Sequence, residues 1–110
     1  MREKDIERIL VTEIKKLGGR AYKWVSPGNA GVPDRIVILP DRMPIFVELK
    51  ADDGKLTSLQ TMQINQLKQL GQNVQVICGI SGMVHFFSQL GQPDISYRLV
   101  ERYGGELNDL

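Results

Sequence analysis

Cysteine and histidine are nearly absent from this sequence, each occurring once, as Cys78 and His85. A single thiol cannot close an internal disulfide or build a cysteine-based zinc cage within one chain. The run Val74-Gln75-Val76-Ile77-Cys78 predicts a small buried core residue rather than a nucleophile, since no base is evident beside it. His85, between Val84 and Phe86, is assigned no role. Long apolar runs are absent too. No stretch approaches the roughly 20 residues of a bilayer span, and Met1-Arg2-Glu3-Lys4-Asp5 lacks the apolar segment of a signal peptide. The expectation is a soluble cytoplasmic protein with no membrane partner, whether its gene is cellular or carried by a phage. Strong net charge is also missing: at +1 the chain as a whole offers little field for a polyanion.

What is present is an ordinary globular composition, 42% apolar and 25% charged, over 110 residues, which predicts one domain spanning 1–110. The cations are unevenly spread. Residues 1–55 hold eleven of the fourteen Lys and Arg, and a metal bound by carboxylates of that half would leave its surface more basic.

Ile6, Ile9, Leu10, Ile14 and Leu17 recur at helical intervals, and Gly18-Gly19 ends the pattern, so 3–17 reads as an amphipathic helix. Arg20 to Val25 reads as a strand running into the breaker-rich loop Ser26-Pro27-Gly28-Asn29-Ala30-Gly31-Val32-Pro33. Residues 35–39 and 45–50 are β-rich runs joined by Pro40-Asp41-Arg42-Met43-Pro44, the pattern of a hairpin whose strands are buried on both faces. A second helix starts near Thr57 or Ser58, with Leu59, Met62, Leu67 and Leu70 facing inward. Val74 to Cys78 returns as a strand through a crossover, parallel to an earlier one. A short helix follows from about Ser81 to Leu90, and the form of 91–110 is left open. The order predicts an α/β domain with a central mixed sheet flanked by helices.

The chemistry concentrates between the second and third strands. Asp34 opens one strand; Glu48 and Lys50 stand two apart in the next, on one face and roughly 6 to 7 Å apart. Thirteen residues separate Asp34 from Glu48, enough for a hairpin to bring the carboxylates together. Close carboxylates repel unless a cation or a shared proton compensates. A hard divalent ion held by one or two carboxylates suits hydrolysis of a phosphodiester, with Lys50 placed to orient the water or stabilise developing charge. An ordinary strand ion pair with Asp34 capping a turn is the plainer alternative. On the first helix Glu7 falls on the apolar side, where an acid can reach a metal at the edge of the core; Glu13 and Glu3 are its rivals. Tyr22 and Trp24 read either as core aromatics or as stacking partners for exposed bases.

The helix acid, Gly31-Val32-Pro33-Asp34, Val47-Glu48-Leu49-Lys50 and Leu56-Thr57-Ser58-Leu59-Gln60 together resemble the PD-(D/E)xK nuclease superfamily, and within it the virus-type replication-repair nuclease (VRR-NUC) family. The resemblance runs from about Glu3 to Cys78 and assigns no role to the tail. It implies a restriction-endonuclease-like core in α-β-β-β-α-β order and Mg²⁺-dependent cleavage of DNA, with Mn²⁺ as substitute. It further implies that Asp34, Glu48 and the carbonyl of Leu49 bind the metal, that Glu7 completes the set, that Lys50 serves the water and that Gln60 supports the site. Members without extra domains imply a homodimer acting on branched DNA such as Holliday junctions or flaps. The apolar C-terminal residues Phe86, Phe87, Tyr97, Leu99 and Tyr103 are the candidate pairing surface. An archaeal-type junction resolvase and a non-catalytic DNA-binding module on the same fold are the competing readings; the complete acid-acid-lysine set disfavours the second.

Overall fold

A computed structural model describes residues 1–107. The elements run α1 (Glu3–Lys16), β1 (Arg20–Lys23), β2 (Arg35–Ile38), β3 (Ile45–Lys50), α2 (Ser58–Gln69), β4 (Asn73–Cys78), α3 (Gly79–Gln89) and α4 (Pro93–Leu107). The strands form one mixed sheet in the order β1-β2-β3-β4. Its first two pairings are antiparallel and β3–β4 is parallel, as the hairpin and the crossover predicted.

Strand alternation divides the sheet into two unlike faces. Ala21, Val37, Ile45, Val47, Leu49 and Ile77 point one way and join Ile6, Leu10 and Ile14 of α1, Ile80, Met83 and Phe87 of α3 and Leu99 of α4 in the main core. The opposite face carries Tyr22, Ile36, Ile38, Phe46, Glu48, Lys50, Val74, Val76 and Cys78. It is only partly covered: α2 lies against β4, and Ile64 is the one buried residue of that helix. Leu59, Met62 and Leu70, expected inside, are exposed. Cys78 is exposed as well, because its register with Lys50 puts it on this open face. Ile38 is exposed for the same reason, so β2 is not buried on both sides.

The C-terminal segment is helical. Pro93 opens α4, where a missing N–H has no helical acceptor to lose, and the helix kinks at Tyr103. Phe86, Phe87 and Leu99, expected as a pairing surface, are buried in the core where α3 and α4 pack on each other; of that group Tyr97 is exposed and Tyr103 half-buried. Glu13 is buried and held by a bidentate pair with Arg98 of α4, both contacts at 2.8 Å, which ties α1 to the C-terminal helix. Arg98 and, more weakly, Lys16 keep the Glu13 carboxyl below its usual range.

Candidate metal centre

Chain direction brings the functional residues to one end of the sheet. Helix α1 reverses through Gly18 and Gly19 into β1, and the bond from Arg35, the partner of Lys23, to Glu7 sets the end of β1 level with the second turn of α1. Antiparallel pairing then sets the start of β2 and the end of β3 at that same level. Asp34 stands just before β2, where the β2–β3 ladder has stopped at Arg35–Val47. Its Oδ2 takes the place of a strand partner by accepting the Leu49 N–H at 2.9 Å, and its carbonyl accepts the Trp24 N–H at 2.9 Å. Because the N–H and C=O of one strand residue point to the same edge, the Leu49 carbonyl also faces the Asp34 side.

Glu48 lies beside Asp34 on the open face, yet it is only 1% exposed. Neither of its carboxylate oxygens has a hydrogen-bond partner. The Lys50 ammonium stands 3.8 Å from Oε2, too far to donate. Burial, then the neighbouring Asp34 carboxylate, pushes the Glu48 carboxyl up to about 8, with Lys50 opposing and Glu3 adding to the rise. A buried acid without a hydrogen-bond donor, next to a second acid and a backbone carbonyl, is an oxygen-rich donor set that a hard divalent cation fits. Among the described residues no group of three or more His, Cys, Asp or Glu is gathered closely enough to hold a metal by itself. The set is thus two carboxylates and a carbonyl.

The helix acid at this end is Glu3. Its charge reaches Glu48. Glu7, expected at the metal, is one turn further along α1, where its Oε2 accepts from Arg35 Nε at 2.8 Å while Arg35 Nη1 donates to the Ala21 carbonyl at 2.9 Å. Glu3 and Glu7 share one side of the helix, so periodicity does not separate them; Glu7 has Arg35 as its partner.

Gln60 is part of a helix cap. Its Oε1 accepts the Thr57 N–H at 2.9 Å, and its own N–H donates to Thr57 Oγ1 at 3.1 Å. The loop before Asp34 docks on this turn. Gly31 has φ +90°, and a Cβ there would come within 2.7 Å of the Leu59 backbone, so only glycine allows the approach. Gln63 Nε2 donates to the Ala30 carbonyl at 3.2 Å. The loop and the start of α2 together hold Asp34 against the end of β3. A cavity of about 380 Å³ between α1 and α4 is lined by residues that include Arg8, Glu13, Lys16, Arg98 and Arg102 and by none of Asp34, Glu48 and Lys50.

The raised Glu48 value has a consequence for metal-free stability. Between its ordinary 4.5 and about 8 the folded protein keeps a proton that the unfolded chain has released. Stability then falls as pH rises through that window, by up to about 1.4 kcal/mol per pH unit. Glu48→Gln, uncharged and of the same shape, is expected to flatten the slope and to be the more stable protein at the alkaline end. Urea denaturation in excess chelator across the window checks this; equal slopes in both proteins would assign the proton to another group.

No protein-family model matches this sequence. The chain is 51% identical over 77 residues to "Putative nuclease p44" of Acyrthosiphon pisum secondary endosymbiont phage 1, covering 70% of this chain and 83% of that protein. Its fold is similar to that of a solved VRR_NUC domain, with a TM-score of 0.64 and 24% identity over 92% of this chain and 96% of the other. The mixed sheet with flanking helices is thus the restriction-endonuclease-like α/β fold of a VRR_NUC domain, and the chain belongs to the family of the phage protein named a nuclease.

Proposed function

We propose that the protein is a Mg²⁺-dependent endonuclease that cleaves DNA, with Mn²⁺ as a substitute and branched DNA, such as Holliday junctions or flaps, as its substrate class. The observation that carries this reading is the Glu48 carboxylate, buried without a hydrogen bond beside Asp34 and 3.8 Å from Lys50. A purely structural acid in that position would be satisfied by donors. The relative named a nuclease supports the same reaction class.

Asp34, Glu48 and the Leu49 carbonyl would hold the ion, with Glu3 as the helix carboxylate nearest to them. When bound, the ion would polarise the phosphodiester and lower the pKa of a water. The chain's own residues do the rest. Leu49 N–H fixes Asp34 by one oxygen, leaving the other for a cation. Lys50, 13% exposed, presents an ammonium beside the carboxylate pair, where it can orient the attacking water and donate to a non-bridging phosphate oxygen as charge develops. Gln60 and Thr57 hold the start of α2, so Gln60 acts on the site through position rather than by contact.

Cleavage of a labelled four-way junction is expected to need Mg²⁺ or Mn²⁺. Asp34→Ala and Glu48→Ala should each lower it roughly 100-fold or more. Lys50→Met should lower the single-turnover rate by a similar factor with junction affinity in Ca²⁺ unchanged, and Lys50→Arg should fail to restore it. Undiminished cutting in excess chelator, or by any of these variants, would leave the site structural.

The two helix acids separate cleanly. Glu3→Gln is expected to raise the Mg²⁺ concentration at half-maximal rate with little change in stability. Glu7→Gln should instead lower stability by about 1 to 3 kcal/mol, since it weakens the bond to a half-buried Arg35. The reverse assignment would return the metal role to Glu7.

A homodimer completes this reading, since two incisions need two sites. With Phe86, Phe87 and Leu99 committed to the core, the exposed apolar stripe of Leu59 and Met62 on α2 and Leu70 at its C-terminal cap is the pairing surface we favour. Sedimentation of wild type as a dimer at micromolar concentration and of Met62→Glu as a monomer is the expected result; a wild-type monomer that still cuts junctions symmetrically would remove the dimer.

A further inference from the structure

The open sheet face holds aromatic residues that the main core does not use. In register across the sheet, Tyr22 of β1, Ile36 of β2 and Phe46 of β3 form one row. Tyr22 is 58% exposed, which is unusual for an aromatic in a four-residue strand with a free side of apolar neighbours. Trp24, just past β1, tilts over this row, its ring 5.3 Å from Phe46 at 49°. Its backbone N–H donates to the Asp34 carbonyl, so the aromatic row and the carboxylate centre share one stretch of chain. Phe46 and Glu48 are two apart on one strand, roughly 7 Å, and Tyr22 is two strands from Phe46, roughly 10 Å.

Away from the carboxylate pair, the charge that the strands carry on this face is positive. Apart from the buried Glu48, the strand residues pointing this way include two charged side chains, Arg20 and Lys50. An exposed Tyr22 ring, with the half-buried rings of Trp24 and Phe46 beside it, near cations and leading to the carboxylate centre, matches what an unpaired strand requires. Its bases each offer a flat apolar face, and its phosphates need positive charge alongside. Stacked duplex cannot use such rings, because its bases are already covered by one another.

We propose that Tyr22 and Trp24 form a stacking shelf for unpaired nucleotides of single-stranded DNA adjoining the scissile bond. Within the branched class the enzyme then selects flaps, by capturing the unpaired segment at the branch. This rests on the nuclease reading for its biological meaning, but not for its test. Trp24 is the single tryptophan, so its emission reports on the shelf directly, without chemistry.

The experiment titrates the full chain, in chelator and again in Ca²⁺, with oligothymidine, with blunt duplex and with duplex bearing a single-stranded flap, reading tryptophan emission and affinity. Oligothymidine and the flap are expected to quench Trp24, and blunt duplex is not. Tyr22→Ala, at an exposed position, should weaken oligothymidine and flap binding roughly 5- to 100-fold, with Tyr22→Phe close to wild type. Quenching by blunt duplex equal to that by oligothymidine would overturn the shelf. So would Tyr22→Ala binding oligothymidine as wild type does. If Tyr22→Ala turns a wild-type dimer into a monomer without changing oligothymidine affinity, the face is an interface between two copies instead, and the shelf is rejected. A protein that quenches as expected yet never cuts with Mg²⁺ would retain the shelf and lose the nuclease reading; one that cuts while Trp24 stays silent would do the opposite.

Discussion

Taking a carboxylate out of water costs several kcal/mol even after relaxation, and that cost is met in most proteins by donors aimed at the oxygens. At Glu48 there are none. Burial and the adjacent Asp34 leave the ionised form strained by two like effects, against which Lys50 at 3.8 Å gives only partial relief. Relief comes either from a proton or from an external cation. The first gives a neutral, inert acid; the second gives a charged centre. A cation bound here, as proposed, would link its binding to folding through this one side chain.

The position of that side chain is not free to drift. Val47 and Leu49 must face α1 and α3 to complete the core, so strand alternation obliges Glu48 and Lys50 to face the other way. A one-residue slip of β3 would put the acid and the lysine into the main core and turn out three core residues, Ile45, Val47 and Leu49. The same register sets Asp34 opposite the Glu48 level, and its hydrogen bond to Leu49 then closes the end of a ladder that β2 no longer supplies. The residues that stabilise the sheet are thus the ones that aim the site, although they touch no substrate.

Much of this was legible in the sequence. Period-two and helical patterns found α1, the β2–β3 hairpin and the parallel return of β4, and the spacing of Asp34, Glu48 and Lys50 put them together. The misses share a cause. Apolar spacing tells which side of an element is apolar, not whether anything covers it: Leu59, Met62 and Leu70 make a respectable stripe on α2, but that helix overlies only the β4 edge and buries Ile64 alone. Cys78 follows a run of apolar neighbours, yet its strand parity puts it on the open face. Helical phase likewise put Glu3 and Glu7 on one side. In the fold Glu7 accepts from Arg35, and the Glu3 charge adds to the rise at Glu48.

A sheet with one face sealed and one face half open divides its labour. The sealed face, packed by α1, α3 and α4, carries most of the apolar burial and with it most of the stability. The open face can therefore carry groups that a core would reject: an unsatisfied carboxylate, a lysine and an exposed tyrosine. Substitutions there remove little buried area, so their effects on binding and chemistry can be measured in proteins that still fold. Arg35 marks the border. It belongs by parity to the sealed face, and its bonds to Glu7 and Ala21 fasten α1 to β1 immediately beside Asp34. The helix that seals the core is thereby fixed, by its second turn, to the strand that Asp34 opens.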